Sequence, residues 1–377
     1  CAKASDAAGA SYWLNRMTTW QLSPDGFTYN ALIYTYARAG NLAAASRCFD
    51  DMDKVRVLPD PISYGPVLGG FARVGDTAQV NRWLNHMNSR GLKPTESTVN
   101  QLIDGYARNG NLGAATQWLK QMPELCLTPN EISYNSIIHG YAVQRESSNA
   151  IQWLDEMMRV GLQPTWLSYH GAIRACARSG DVHGATAWLA QMKSVCLMPD
   201  GSTFSLIIDG CARQGDMVGA ERWLRELVRS REVPDAFSFN SLINSCARAG
   251  DAAAATLWFD RMSVSGIHTC VYSYSTLIDA HARVGDAEGA ERTFERMLSV
   301  RIEPNVISWT ALIYACARAV PKHRRQAEDH FRQMVQVSVK PGRLTLYGLL
   351  TAVGRPHFRQ LCAELRHPEW IDQVDIS

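Results

Sequence analysis

"YARAGNLAAASRCFDDM", residues Tyr36–Met52, recurs along the chain. "CARSGDVHGATAWLAQM" begins at Cys176, "CARAGDAAAATLWFDRM" at Cys246 and "HARVGDAEGAERTFERM" at His281, and the opening residues "CAKASDAAGASYWLNRM" are a worn copy. Prolines mark the spacing. Pro24, Pro59, Pro94, Pro129, Pro164, Pro199, Pro234 and Pro304 stand 35 residues, or a multiple of 35, apart. Thr269 takes the missing place, and Pro341 comes two residues late because "VPKHRRQ" at 320–326 is longer than the turn it replaces. A fixed period of this length means one supersecondary unit stacked on itself, a solenoid.

Ending each repeat one residue past its proline gives nine full repeats: 26–60, 61–95, 96–130, 131–165, 166–200, 201–235, 236–270, 271–305 and 306–342. Residues 1–25 are expected to be a partial repeat, because Cys1 falls at position 11. Residues 343–377 keep a first-helix pattern and lose the second, which predicts a degenerate C-terminal repeat or cap.

Within a repeat the apolar residues at positions 4, 7, 8, 11 and 12 (Tyr29, Leu32, Ile33, Tyr36 and Ala37 in the first) share one face of a helix. Ser or Thr at position 3 is predicted to be the N-cap. Gly at position 15 supplies a left-handed stop, and the Asp or Asn after it caps a second helix. That helix carries Ala45, Phe49 and Met52 at positions 20, 24 and 27. Trp13, Trp83, Trp118, Trp153, Trp188, Trp223 and Trp258 recur at position 23 and are expected in the core. No single helix pair can bury these faces, so the pairs must stack.

Composition agrees with a well-buried chain, 46% hydrophobic and 20% charged, and no apolar run approaches the roughly 18 residues of a membrane helix. A net charge of +2 does not announce a polyanion partner, although a local stripe could. Of ten cysteines, Cys1, Cys176, Cys211, Cys246 and Cys316 all fall at position 11, too far apart in a stack to bridge. They read as small buried apolar residues.

A 35-residue helix pair reading "YNxLIxxYARxGxxxxAxxxxxxM…PD" resembles the pentatricopeptide repeat over nearly the whole chain. The resemblance implies an all-α, right-handed superhelix of helix-turn-helix repeats that binds single-stranded RNA in a mitochondrion or plastid, one base per repeat. Any targeting peptide would lie upstream of Cys1, where the native protein is expected to extend.

Helical geometry locates a working face independently. At about 100° per residue, positions 2, 5, 9 and 13 cluster opposite the apolar face of the first helix. Position 13 is Arg38, Arg73, Arg108, Arg178, Arg213, Arg248, Arg283 and Arg318; Val143 breaks the row and Lys3 extends it backward. A cation suits a helix C-terminus, but Lys would serve equally there, whereas a planar fork suits phosphate. Position 5 is Asn30, Asn100, Asn135, His170, Ser205, Asn240, Ser275 and Thr310, with Gly65 the exception. An amide donates and accepts together, as a base edge requires.

In the family, position 5 acts with the last residue of the repeat to choose the base. Carried over, Asn30 with Asp60 resembles a uridine pair and Asn100 with Asn130 a pyrimidine pair, with Asn135–Thr165 and Asn240–Cys270 as weaker versions. Ser205 with Asp235 resembles a guanine pair, and Ser275 with Asn305 an adenine pair. His170 with Asp200, Gly65 with Thr95 and Thr310 with Gly342 fit no strong pair. Position 2 would wedge between bases through Phe27, Ile62, Ile132, Leu167, Phe237, Tyr272 and Ile307, while Ser97 and Ser202 are poor wedges. The family binds RNA parallel to the chain, which gives 5′-U-n-Y-Y-n-G-Y-A-n-3′, with Y a pyrimidine.

No catalytic constellation, cofactor loop or metal set stands outside the repeat pattern, so a non-enzyme without cofactor is expected. "HPE" at His367 matches half of a zinc deaminase signature and lacks its PCxxC partner. The basic insertion (Lys322, His323, Arg324, Arg325) is a solvated loop or an extra RNA or protein contact. Ribosomal or other organellar complex proteins are the alternative partners, with the chain as a structural subunit or a scaffold, and no membrane insertion is expected.

Overall fold

The computed structural model describes residues 7–365, 367 and 369–374. Cys1 and Lys3 lie outside them, as does the middle residue of the "HPE" match. The chain divides into two compact units, residues 1–198 and 199–377.

The first unit holds α1 (Ala7–Thr19), α2 (Gly26–Arg38), α3 (Leu42–Lys54), α4 (Pro61–Val74), α5 (Thr77–Ser89), α6 (Glu96–Asn109), α7 (Leu112–Gln121), α8 (Glu131–Gln144), α9 (Ser147–Arg159), α10 (Trp166–Ser179) and α11 (Val182–Ser194). The second holds α12 (Gly201–Gln214), α13 (Met217–Arg229), α14 (Ala236–Ala249), α15 (Ala252–Val264), α16 (Val271–Val284), α17 (Ala287–Ser299), α18 (Val306–Arg318), α19 (Arg324–Gln336), α20 (Arg343–Val353), α21 (Arg355–Glu364) and α22 (Glu369–Asp372). Within each unit every first helix packs on the first helix of the next repeat and on its own second helix. The architecture is an all-α solenoid of helix pairs, with no strand among the described residues.

The turns follow the local chemistry of the sequence. Gly40, Gly75, Gly110, Gly180, Gly215, Gly250 and Gly285 all take positive φ, between 73° and 90°. Asn41, Asp76, Asn111, Asp181, Asp216, Asp251 and Asp286 then accept from a backbone N–H three residues on and start the second helices. The cap of the first helix differs from expectation. Positions 1 and 2 are already helical, so the N-cap is the last residue of the preceding repeat: Asp60 accepts from Ser63 N at 2.9 Å and Asp235 from Ser238 N at 2.9 Å. The position-3 hydroxyl is instead the return half of a capping box, as where Asp60 N donates to Ser63 Oγ at 3.1 Å.

Tyr29, Leu32, Ile33, Ala45, Phe49 and Met52 are buried, as are their counterparts in later repeats apart from half-buried Leu84. Position-11 Cys176, Cys211, Cys246 and Cys316 are buried, and burial pushes each thiol up to about 11, which keeps it protonated and unreactive. The tryptophans are less buried than their stripe predicts. Trp258 is 6% exposed and Trp13 is 51% exposed; Trp83, Trp118, Trp153, Trp188 and Trp223 are half-buried. Five of them lean on the position-4 aromatic ring of their own repeat, with centroids 6.1 to 6.3 Å apart. The row seals the seam between the two helices of a repeat, with one edge left to solvent.

Candidate nucleic-acid interface

The cap shift has a structural consequence for the candidate selectors. The last residue of a repeat caps the next first helix, and position 5 lies one turn into the first helix beside it, so the two meet. Asn30 Nδ2 donates to Asp60 Oδ2 at 3.2 Å, Asn100 Nδ2 to Asn130 Oδ1 at 3.2 Å, Asn135 Nδ2 to Thr165 Oγ1 at 3.2 Å, and Ser205 Oγ to Asp235 Oδ1 at 3.0 Å. A third member completes each cluster. The position-3 hydroxyl of the following repeat donates to the position-5 carbonyl: Ser63 to Asn30 at 2.6 Å, Ser133 to Asn100 at 2.5 Å and Ser168 to Asn135 at 2.6 Å. Each amide is thereby oriented, carbonyl toward the core and N–H₂ toward the last residue.

These selectors are more enclosed than a helical wheel predicts. Asn100, Ser205, Asn240 and Ser275 are buried, because position 5 is wedged between neighbouring first helices rather than standing on the open face. Ser275 Oγ meets Ser308 Oγ at 2.8 Å, and Asn305 caps α18 through Ser308 N at 3.0 Å. Thr310 Oγ1 meets Thr345 Oγ1 at 2.7 Å beside Gly342, which has no side chain to offer. Asn240 is buried with Oδ1 unbonded. The Ser273 hydroxyl, which would reach it by analogy, lies 3.5 Å from Cys270 Sγ instead. His170 stacks on Trp166 with ring centroids 4.5 Å apart, in the first unit; Asp200 caps α12, in the second.

The position-2 side chains stand clear of the protein, from Phe237 at 47% exposed to Phe27 at 82%, with Ile62, Ile132, Leu167, Tyr272 and Ile307 between. Within each unit these exposed apolar side chains, recurring at one helical position, form a ridge that no described residue covers. Arg38, Arg73, Arg108, Arg213, Arg248, Arg283 and Arg318 are exposed, and Arg178 is half-buried. Five of them meet a side chain at position 9 of their own repeat, which sequence reasoning left unassigned. Arg108 pairs with Asp104 at 2.8 Å, Arg213 with Asp209 at 2.7 Å and Arg283 with Asp279 at 2.7 Å. Arg38 and Arg318 lie over Tyr34 and Tyr314, each 5.8 Å from the ring centroid. The signal was present as Asp and Arg at i, i+4 on one helix.

A groove of about 670 Å³ in the second unit gathers the four positions in one place. Tyr272 and Ile307, Ser275 and Thr310, Asp279 and Tyr314, and Arg283 and Arg318 line it together. In the basic insertion, Lys322 Nζ donates to Thr351 O at 2.8 Å. Among the described residues no group of three or more His, Cys, Asp or Glu could hold a metal ion. Among the described residues no helix is long and apolar enough to cross a membrane.

The fold and this repeated cluster define a class, the helical-repeat proteins in which each 35-residue pair of helices presents the same few variable side chains. Three family profiles agree. The pentatricopeptide repeat domain matches residues 257–319, the PPR repeat family matches residues 24–73, 97–143, 129–178 and 199–248, and the PPR repeat matches residues 167–196 and 237–267. The chain belongs to the pentatricopeptide repeat family. Among solved structures it is similar to the pentatricopeptide repeat protein PPR10 in complex with an 18-nt psaJ RNA element, with a TM-score of 0.61 and 22% identity over 95% of this chain and 57% of that one. It is also similar to PPR10 from maize, with a TM-score of 0.51 and 21% identity over 99% of this chain and 61% of that one. The chain thus spans less than two thirds of the length of these structures, and the likeness is one of fold. No curated protein sequence gives a significant match.

Proposed function

We propose that the chain is a sequence-selective single-stranded RNA-binding protein of a mitochondrion or plastid. It acts without catalysis in RNA processing, stabilisation or translation, by occupying its RNA. Repeats 26–60 to 306–342 each take one base, with 343–377 as the cap. The observation that carries this is the oriented cluster of positions 5, 35 and 3, set beside exposed apolar side chains and a row of arginines. Stacking on an apolar or aromatic ridge is indifferent to base identity, oriented amides and carboxylates discriminate base edges, and guanidinium forks suit phosphate.

The hydrogen bonds say what each cluster offers. With its carbonyl held by Ser63, Asn30 keeps one N–H for a base carbonyl, and Asp60 beside it accepts. Uracil, with a carbonyl next to an N–H, complements that pair. The family's pairing of position 5 with the last residue of the repeat, carried over to the other repeats, gives 5′-U-n-Y-Y-n-G-Y-A-n-3′. The RNA-bound state of PPR10, a protein of the same family, supports the ligand class.

Selection of RNAs from a randomised pool, followed by salt titration, tests the reading. Enrichment of this register supports it. Binding with a steep salt slope but no motif favours a second reading, a structural subunit of a large organellar assembly such as a ribosome. That reading draws on repeat 2, where Gly65 offers no side chain, and on repeat 5, where Trp166 covers His170. Absence of binding at low salt leaves a protein–protein scaffold.

A further inference from the structure

The second repeat has no position-5 side chain, yet the space that side chain would fill is occupied. A Cβ built on Gly65 would lie 2.6 Å from Gln101 Nε2, 2.9 Å from its Cδ and 3.1 Å from its Oε1. One turn on, a Cβ on Gly69 would lie 2.7 Å from Gln101 O and 3.2 Å from Gln101 Cβ. Two glycines on one face of α4 therefore clear a channel, and Gln101 from α6 lies along it. We infer that Gln101 is the base-selecting side chain for the second nucleotide, supplied by the third repeat in place of the missing residue at position 65. This rests on the RNA-binding reading above.

Three observations support the assignment. Gln101 holds position 6, where the other repeats carry Ala31, Pro66, Ser136, Gly171, Leu206, Ser241, Thr276 and Ala311, so it is the one amide there. Position 6 does reach across to the preceding repeat elsewhere: Ser241 Oγ donates to Asp209 Oδ1 at 2.8 Å. The cluster around Gly65 has also reorganised to do without a position-5 carbonyl, since Thr98 Oγ1 donates to Pro61 O at 3.2 Å. In three other repeats the equivalent hydroxyl, on Ser63, Ser133 and Ser168, goes to a position-5 amide.

The Gln101 carboxamide is half-buried, and its Nε2 makes a long bond of 3.4 Å to the exposed Ser97 hydroxyl. Ser97 is the position-2 residue that lacks an apolar wedge. An amide carbonyl, an amide N–H₂ and a hydroxyl thus converge where the second base would lie between Ile62 and Ser97. The nominal partner Thr95 is engaged with Thr98, Oγ1 to Oγ1 at 3.0 Å. The second position is read by a hydrogen-bonding amide like the others, from the opposite wall.

The test is competition binding of the full chain to RNAs carrying each of the four bases, or an abasic site, at the second position only. Wild type should discriminate among the bases about fivefold or more. Gln101→Ala should flatten that preference and leave the third position, read by Asn100 and Asn130, unchanged. Gly65→Asn alone should weaken binding, because the new side chain meets Gln101. Gly65→Asn with Gln101→Ala should install a pyrimidine preference like that expected of Asn135 with Thr165. A flat second position in wild type, or a preference that survives Gln101→Ala, overturns the assignment while binding at the other positions persists. Loss of base preference at every position in wild type instead overturns the RNA reading itself, and this assignment with it.

Discussion

Asn30 Nδ2 and Asp60 Oδ2, thirty residues apart in sequence, are joined by a hydrogen bond of 3.2 Å before any ligand arrives. Asp60 also caps α4 through Ser63 N, and Ser63 Oγ returns to Asn30 Oδ1. One carboxylate therefore starts a helix and holds a selector. On the proposed reading a base would meet polar groups whose rotamers are already fixed, so little side-chain ordering would remain to oppose binding.

The equivalence of these clusters predicts a specificity switch. Ser205 contacts Asp235 and Ser238, the same residue types that flank Asn30. Ser205→Asn should therefore rebuild the first repeat's cluster in the sixth repeat and move the sixth-base preference from guanine toward uridine. The change should be roughly tenfold, within the range of a well-placed base contact. Competition between RNAs differing only at that base measures it, and an unchanged preference would detach position 5 from base choice.

The arginine row should not contribute uniformly. Asp104, Asp209 and Asp279 hold Arg108, Arg213 and Arg283 and place a negative charge beside the expected phosphates. Changing the three aspartates to asparagine should tighten RNA binding at low salt. The slope of log K against log salt should steepen by up to about 0.7 for each arginine released. Stability should shift by no more than about 1 kcal/mol for the partly exposed Asp104 and Asp279 pairs, and by more for buried Asp209, which also accepts from Ser241. An unchanged slope in the triple variant would leave these arginines as helix-end charges.

How much of this was legible in the sequence depended on the range of each interaction. The period, the positive-φ glycines and the Asp or Asn caps of the second helices were legible because each answers one local backbone demand with one residue type. The first-helix cap was misplaced because Asp60 and Ser63 form a reciprocal box, in which the sequence shows both partners and only the backbone decides which lies outside the helix. Gln101 was not legible. Its position depends on α4 and α6 approaching over Gly65, Gly69 and Gly105, a tertiary result of several small residues acting together. The tryptophan row lay at the edge of its stripe, where periodicity cannot separate a core residue from a seam.

That close approach can be tested on its own. A Cβ on Gly105 would lie 2.4 Å from Gly69 O, 2.8 Å from Ala72 Cβ and 3.2 Å from Arg73 N, and neither the two backbone atoms nor a Cβ fixed to the backbone can swing aside. Gly105→Ala should destabilise the first unit by about 1–3 kcal/mol despite alanine's better helix propensity. Gly113→Ala in α7 is the matched control, since its Cβ would meet nothing nearer than Asn111 Oδ1 at 3.8 Å. There the same change should stabilise by up to about 1 kcal/mol. Urea denaturation of both variants checks the pair, and equal signs would refute the packing argument.

Acid sensitivity should arise in part from one buried imidazole. His330 in α19 is 8% exposed, and burial holds its pKa below the usual 6.5. The Glu291 carboxylate, 3.8 Å away, pulls the other way together with Gln333 and Asp329, and does not overcome the burial. With a depressed folded pKa, the unfolded chain takes up the proton first as pH falls through 6.5. The contribution of His330 is therefore fully present above that value and is lost on acidification, by at most about 1.4 kcal/mol per pH unit. His86 and His139, also lowered by burial, lie in the first unit and remain as they are. His330→Leu should thus reduce the drop in Tm between pH 7.5 and pH 5.5 without abolishing it. If the variant lost as much Tm over that interval as wild type, the proton uptake would have to lie elsewhere.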